Sequence, residues 1–355
     1  MIVQPSSSPS PGYPQQVIVL QRSSGFGKFL AFLGWLGFFG CGTLLLITWV
    51  FVAASYEDLE GLSEKFVSGN EDAEGTIAII TIDGVISDTE DEGYVMSQIR
   101  AVRKDDTVKG IVVRVDSPGG AVTGSDYLFH HLKKLKEDKA CPMVVSMGGM
   151  AASGGYYVSM SVGDEKDVIF AEPTTTTGSI GVIIPHYDVS GLLEKYNVKD
   201  DSIASHERKQ MLAMTRPVTP EHRAIIQSYV DETFVRFKNI VKEGRPKFKA
   251  DPAALDALAT GEIFSADQAL KNGLVDKIGF VEDAVDRVLE LAKLTEDDVR
   301  VMKFIKPVSL FDDLALMKAR STAPAFDVQS LLELSTPRAY YMVTTLPALA
   351  SSRRE

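Results

Sequence analysis

Met150-Ala151-Ala152-Ser153-Gly154-Gly155-Tyr156-Tyr157 sets a single serine among residues too small to shield it. Upstream, Met143 to Met147 reads as a short apolar strand, and downstream, Tyr156 to Met160 reads as the start of a helix. A serine at such a junction meets the free N–H groups and the positive dipole end of the helix. A nucleophilic hydroxyl needs that setting, exposed and close to donors that can hold an oxyanion. Taken alone, the segment reads first as a tight helix–sheet contact in which Ser153 caps the helix; the neighbouring segments favour the nucleophile.

Working outward, strands and helices alternate. Thr76 to Ile82 is an uncharged strand, Ser87 to Val102 a helix, Gly110 to Val115 a buried strand and Val122 to Lys136 a helix. Apolar strands separated by helical segments predict parallel pairing through right-handed crossovers, an α/β chain. Farther on, Thr219 to Glu243 is a long amphipathic helix with Thr219 as its cap, and Gly244 follows its end. Gly261 to Gly279 reads as strand, helix and turn, and Phe280 to Leu291 as another helix.

The N-terminal part differs. Residues 1–24 are rich in Ser, Pro, Gly and Gln and read as a disordered tail. From Phe29 to Tyr56 no residue is charged, a run longer than the ~20 residues that span a bilayer. A cleaved signal peptide has a shorter apolar region nearer the N-terminus, so a retained anchor is expected. Arg22 and Lys28 precede the run, whereas Glu57, Asp58 and Glu60 follow it. The positive-inside rule then places the N-terminus in the cytoplasm and the bulk of the chain outside, as a single-pass protein of the cell membrane. The expected organisation is a cytoplasmic tail at 1–28, a transmembrane helix at 29–54, a linker at 55–74, a catalytic domain at 75–304 and a C-terminal extension at 305–355.

Composition is that of a globular protein, 45% apolar and 24% charged over 355 residues. Arg22 and Lys28 are the only charges before Glu57, so a net charge of −11 leaves −13 on residues 55–355. That balance argues against a nucleic-acid partner. Cys41 falls in the apolar run and Cys141 just before a strand, so no disulfide framework is expected. No CxxC or HExxH spacing occurs, and neither a metal nor a cofactor is expected.

Two more segments bear on the serine. Asp116-Ser117-Pro118-Gly119-Gly120 leaves the strand Ile111 to Val115 directly. Its paired glycines let the backbone approach a ligand, so an N–H of this segment could form half of an oxyanion hole and Gly154 the other half. An ordinary strand-exit turn fits the same residues. Thr174-Thr175-Thr176-Thr177-Gly178-Ser179 reads either as a threonine-rich hairpin or as a device presenting the Ser179 hydroxyl. A serine nucleophile also needs a base. Of the five histidines, His130 and His131 share a helix with lysines, and His186, His206 and His222 have no carboxylate partner at readable spacing. A lysine can serve if burial lowers its pKa from ~10.4 towards neutrality. Lys209, ahead of Met211, Leu212, Ala213 and Met214, is a candidate, although spacing does not choose it over Lys195 or Lys199.

Together these segments resemble the signal peptide peptidase A family of membrane-anchored serine proteases. The resemblance covers roughly residues 75–292. It rests on Asp116 to Gly120, Ala151 to Tyr157, Gly178 to Val182 and the block Gln268-Ala269-Leu270-Lys271-Asn272-Gly273-Leu274-Val275-Asp276-Lys277-Ile278-Gly279. It implies a Ser-Lys dyad, with Ser153 as nucleophile, Lys209 as general base, Ser179 positioning the amine, and oxyanion donors on Gly120 and Gly154. It also implies the Clp protease and crotonase type of fold, a superhelix of ββα units. The chain has one catalytic half, and the implied assembly is a homo-oligomeric ring with active sites at subunit junctions. Expected substrates are remnant signal peptides or other hydrophobic peptides at the bilayer. A related protease trimming a specific membrane protein, a non-proteolytic crotonase-like acyl-binding module and a pseudoenzyme scaffold are the competing readings. An acyl binder needs neither Ser153 nor Lys209.

Overall fold

The computed structural model describes residues 25–60, 62–88, 93–305 and 340–342. The chain divides into two units, Met1–Gly61 and Leu62–Glu355. In the first, α1 (Gly25–Glu60) holds one stretch, Lys28–Trp49, long and apolar enough to cross a membrane. Large apolar side chains along it, from Phe29 to Trp49, are exposed. Residues 1–24 of the expected tail, and most of the expected C-terminal extension, lie outside the described residues.

The second unit is built on a mixed sheet. Its strands and helices run β1 (Ser63–Gly69), β2 (Gly75–Asp83), α2 (Tyr94–Lys104), β3 (Val108–Ser117), β4 (Gly119–Ala121), α3 (Val122–Lys139), β5 (Met143–Ala152), α4 (Gly154–Ser159), β6 (Ile169–Ala171), β7 (Thr176–Gly178), α5 (Ser190–Lys195), α6 (Pro220–Gly244), α7 (Pro246–Ala250), α8 (Pro252–Leu258), β8 (Ile263–Ser265), α9 (Ala266–Asn272), β9 (Lys277–Ile278), α10 (Val281–Ala292), β10 (Val299–Ile305) and β11 (Tyr340–Met342). The main sheet has the order β1-β10-β2-β3-β5-β6-β9. From β10 to β9 neighbours are parallel, and β1 is antiparallel to β10. β7 runs parallel to the end of β5 and antiparallel to β8.

Consecutive residues along β2, β3 and β5 are buried, Ile79-Ile80, Ile111-Val112-Val113 and Val144-Val145 among them. Alternate side chains point to opposite faces, so both faces of the sheet are covered, as parallel crossovers require. α2 and α3 contribute Ile99, Val102, Leu128, Leu132 and Leu135 to the core, and α10 contributes Val288 and Leu289. α10 approaches so closely at Gly110 that a Cβ there would overlap Val288 Cγ1. Gly110→Ala should therefore destabilise the fold by about 1–3 kcal/mol, read as a lower denaturant midpoint with an unchanged slope.

Three boundaries differ from the sequence reading. α2 begins at Tyr94 rather than Ser87, because Ile86 is committed to a bridge with Gly120. β5 continues beyond Met147 to Ala152: the Asp116 carboxylate accepts the Met150 N–H at 3.0 Å and holds the Gly148-Gly149 stretch extended. Within the segment read as a linker, Ser63–Gly69 forms β1, paired with β10 from Ser63↔Ile305 to Gly69↔Arg300.

Candidate active site

Ser153 stands between the last residue of β5 and the first of α4. Its backbone turns at φ 54°, ψ −113°. A non-glycine residue there costs about 1–3 kcal/mol and persists only where the surroundings enforce it. Those surroundings are visible. The Ser153 N–H donates to Gly178 O and its carbonyl accepts from Tyr157 N, both at 2.8 Å. The residue is 1% exposed, and among the described residues its Oγ has no hydrogen-bond partner. A helix-capping serine would bond an N–H of the first turn, and this one caps nothing. A buried hydroxyl without a partner costs about 1–3 kcal/mol, so fold stability does not account for it.

Small residues allow two backbones to converge on that hydroxyl. A Cβ on Gly154 would overlap Ser125 Oγ, and a Cβ on Gly155 would press on Ser117 O. Gly119, at φ +91°, stands against the Gly154 nitrogen and tolerates no side chain. Its carbonyl accepts from Ile86 N and the Ala121 N–H donates to Ile86 O. These bonds pin the loop from one side, so Gly120, between them, faces the other. The two glycines proposed from sequence as oxyanion donors thus lie in the two segments that meet at Ser153.

Ser179 arrives by strand pairing. β7 lies against the end of β5 with Ala152 opposite Gly178, and the threonines fasten it: Thr175 Oγ1 donates to Gly148 O and Thr177 Oγ1 to Ala151 O, each at 2.6 Å. Ser179 therefore follows its strand as Ser153 follows its own, also at positive φ (52°) and almost buried.

Lys209 makes no hydrogen bond to Ser153 Oγ. It sits on the single turn Glu207–Gln210, exposed, its N–H donating to His206 O. Among the described residues no histidine or lysine hydrogen-bonds Ser153 Oγ either. His206 Nδ1 accepts from Arg208 N in its own turn, and His186 Nε2 stands 3.5 Å from Ala213 O.

The sequence reading overlooked the aromatic wall beside the serine. Tyr157 lies on α4 and Phe237 on α6, both fully buried, with ring centroids 5.1 Å apart. The Tyr157 hydroxyl donates to Asp126 Oδ1 at 2.6 Å, and Arg236 pairs with the same carboxylate. Burial, and then Asp126, push the Tyr157 phenol far above its ordinary value. It stays neutral and packs rather than accepting protons. Against this wall lies β11, antiparallel to β4, with Tyr341 opposite Gly120. In sequence these rings look like ordinary core residues, and nothing marks the pocket they share.

The block Gln268 to Gly279 is structural. Ser265 and Gln268 form a capping box for α9, Gly273 ends it in the left-handed conformation, and Asp276 accepts from Val168 N and Ile169 N while pairing with buried Arg245.

Comparison with known proteins agrees with this geometry. A family model described as Peptidase family S49 matches residues 135–295, and one described as Clp protease matches residues 76–177. A putative signal peptide peptidase SppA of Enterococcus faecium is 35% identical over 285 residues, 73% of this chain and 80% of that protein. Protease 4 of Salmonella typhi is 38% identical over 231 residues, 63% of this chain but only 36% of its own length. The chloroplastic serine protease SPPA of Arabidopsis thaliana is 28% identical over 271 residues, 73% of this chain and 39% of that protein. The chain thus spans little more than a third of those two longer relatives. With the first of these relatives matched over most of both chains, and Ser153 and Gly154 inside the S49 match, this protein belongs to peptidase family S49, the signal peptide peptidase family.

Proposed function

We propose that the protein is a membrane-anchored serine endopeptidase that hydrolyses hydrophobic peptides, remnant signal peptides among them, through a Ser-Lys dyad. The carrying observation is Ser153 itself, with strained backbone and a buried hydroxyl left unbonded beside two converging glycine segments. An acyl-binding module has no use for that strain.

In this reading a lysine amine takes the Ser153 proton as Oγ bonds to the substrate carbonyl carbon. The oxyanion is held by N–H groups of Gly120 and Gly154. The C–N bond then breaks, the departing amine takes the proton, and water hydrolyses the acyl ester to release the new carboxylate. Lys209 supplies the amine from a neighbouring copy, with Ser179 positioning it. Its exposure and distance from bonding with Ser153 in the single chain support a junction site. So does the run of exposed apolar side chains between residues 183 and 203, Tyr187, Leu192, Tyr196, Val198 and Ile203 among them, since large exposed apolar surface is what an interface covers. The fold reading that goes with it is a superhelix of ββα units closing into a homo-oligomeric ring.

The test is labelling of the intact protein with a fluorophosphonate. Modification at Ser153, and its loss on prior denaturation, is expected; a folded protein that stays unlabelled would count against the nucleophile. The anchor reading is tested separately. The uncharged run flanked by Arg22 and Lys28 should leave the protein in the membrane pellet after alkaline carbonate, with the catalytic domain facing outside. A soluble mature chain starting near Glu57 would replace the anchor with a cleaved signal.

A further inference from the structure

The two segments named as oxyanion donors are each tied to the start of a helix. β4, with Gly120 at its centre, runs without a break into α3, and Ser153 runs into α4, whose first residue is Gly154. The gap between the two glycine N–H groups is therefore set by how α3 sits against α4. That contact is close. Ser125 of α3 is buried, its Oγ donating to Ala121 O at 2.9 Å, and a Cβ on Gly154 would overlap that same Oγ. The next residue, Asp126, ties the helices directly: its Oδ1 accepts the Tyr157 hydroxyl at 2.6 Å. Tyr157 stands one turn into α4, and its N–H donates to the Ser153 carbonyl at 2.8 Å. The ring of Phe129, also on α3, meets Tyr157 edge-on at 5.5 Å. From α6, Arg236 holds the carboxylate through both oxygens. Its Nη2 stands 2.6 Å from Oδ1 and 2.7 Å from Oδ2, and its Nε 3.1 Å from Oδ1. A carboxylate gripped by a planar guanidinium has a fixed direction as well as a fixed place.

We propose that Asp126 is a positioning residue for peptide hydrolysis: standing on α3 and bonded to Tyr157 on α4, it gauges the separation of the Gly120 and Gly154 N–H groups. The proposal rests on the proteolytic reading of Ser153 and on those two donors. Asp126 acts at one remove, since Ser153 Oγ bonds to no side chain among the described residues. Packing of the Tyr157 ring leaves α4 the slack of van der Waals contact. A short bond to an oriented carboxylate removes that slack. The tolerance is small, because donors stabilise an oxyanion at about 2.7–3.1 Å. The full negative charge exists only at the tetrahedral stage, so a slackened gauge lowers kcat and leaves substrate binding alone.

The experiment uses the full-length protein in detergent, a quenched hydrophobic peptide, and the variants Asp126→Ala and Tyr157→Phe. Tyr157→Phe keeps the ring and removes only the hydroxyl, so it carries the test if Asp126→Ala does not fold. Each should lose about 10- to 100-fold in kcat, the scale on which a misplacement of about 1 Å acts, with KM within about twofold of wild type. The double variant should be no slower than the slower single one, because both changes remove the same bond. Gly110→Ala, at the opposite end of β3 from the site, is the stability control: it should melt lower and keep the wild-type kcat. Wild-type kcat in both variants, a change confined to KM, losses that multiply in the double variant, or a loss of kcat shared by Gly110→Ala would each overturn the assignment. In those cases wild-type turnover and fluorophosphonate labelling at Ser153 leave the protease reading standing. A wild type that neither cuts nor labels removes both.

Discussion

Ser153→Ala should reduce peptide hydrolysis by about 10⁴-fold or more, the scale on which loss of a serine nucleophile acts. The protein should remain folded, because Ser153 Oγ makes no bond for alanine to break. Alanine inherits the strain at φ 54° but sheds the unbonded hydroxyl, so the melting temperature should rise by a few degrees. Ser153→Gly, free of that penalty, should melt higher while being equally inactive. Turnover by purified variants, alongside thermal unfolding, checks both halves. A fully active alanine variant would show that the nucleophile lies elsewhere.

The second large effect concerns which copy supplies the base. Lys209→Met should be as inactive as Ser153→Ala, and Lys209→Arg should fail too, since guanidinium does not give up its proton. Mixing the two dead variants decides the geometry. If each site takes its serine from one copy and its lysine from the next, random co-assembly at equal amounts leaves about a quarter of the sites with both groups intact. Co-expressed Ser153→Ala and Lys209→Met chains should therefore recover about a quarter of wild-type activity per site. A dyad contained in one chain would recover none. No recovery from an oligomer proven to be mixed would sink the junction site.

Those outcomes follow from features that differed in how openly the sequence announced them. Ser153, Gly154, Gly120 and Ser179 are local: each follows within a few residues of the end of β3, β5 or β7, and runs such as Ile111 to Val115 and Met143 to Met147 reveal strands by composition alone. Where pairing partners lie far apart, that signal fails. β1 carries Ser63, Glu64 and Lys65 and looks like a polar linker. It is a strand because β10, more than two hundred residues later, lies beside it. Gly148 and Gly149 look like strand breakers, and the Asp116 carboxylate from the neighbouring strand, with Thr175 and β7 on the other side, keeps β5 going past them. The helix at Tyr94 starts late because Ile86 is held by Gly120, again a nonlocal claim on the chain. Lys209 could be proposed by resemblance, but its expected burial is not a property of one copy. The pocket around Tyr341 escaped notice because its walls come from α4 and α6, and its occupant from a stretch without readable pattern.

The interposition of β10 between β1 and β2 also sets a timetable for biosynthesis. β1 and β2 are separated by only the short loop 70–74, yet they do not touch as neighbours in the sheet. Their shared partner is the last strand of that sheet to be made. Until Val299–Ile305 has left the ribosome, β1 has nothing to pair with, and the Gly75–Ile79 edge of β2 stands open. An open, apolar strand edge invites pairing with other chains. Closing a sheet across such a sequence separation is slow. A nascent chain must therefore be shielded along that edge until synthesis is nearly complete, and a fragment ending before Val299 would carry the whole catalytic serine region yet lack the strand that seals its sheet.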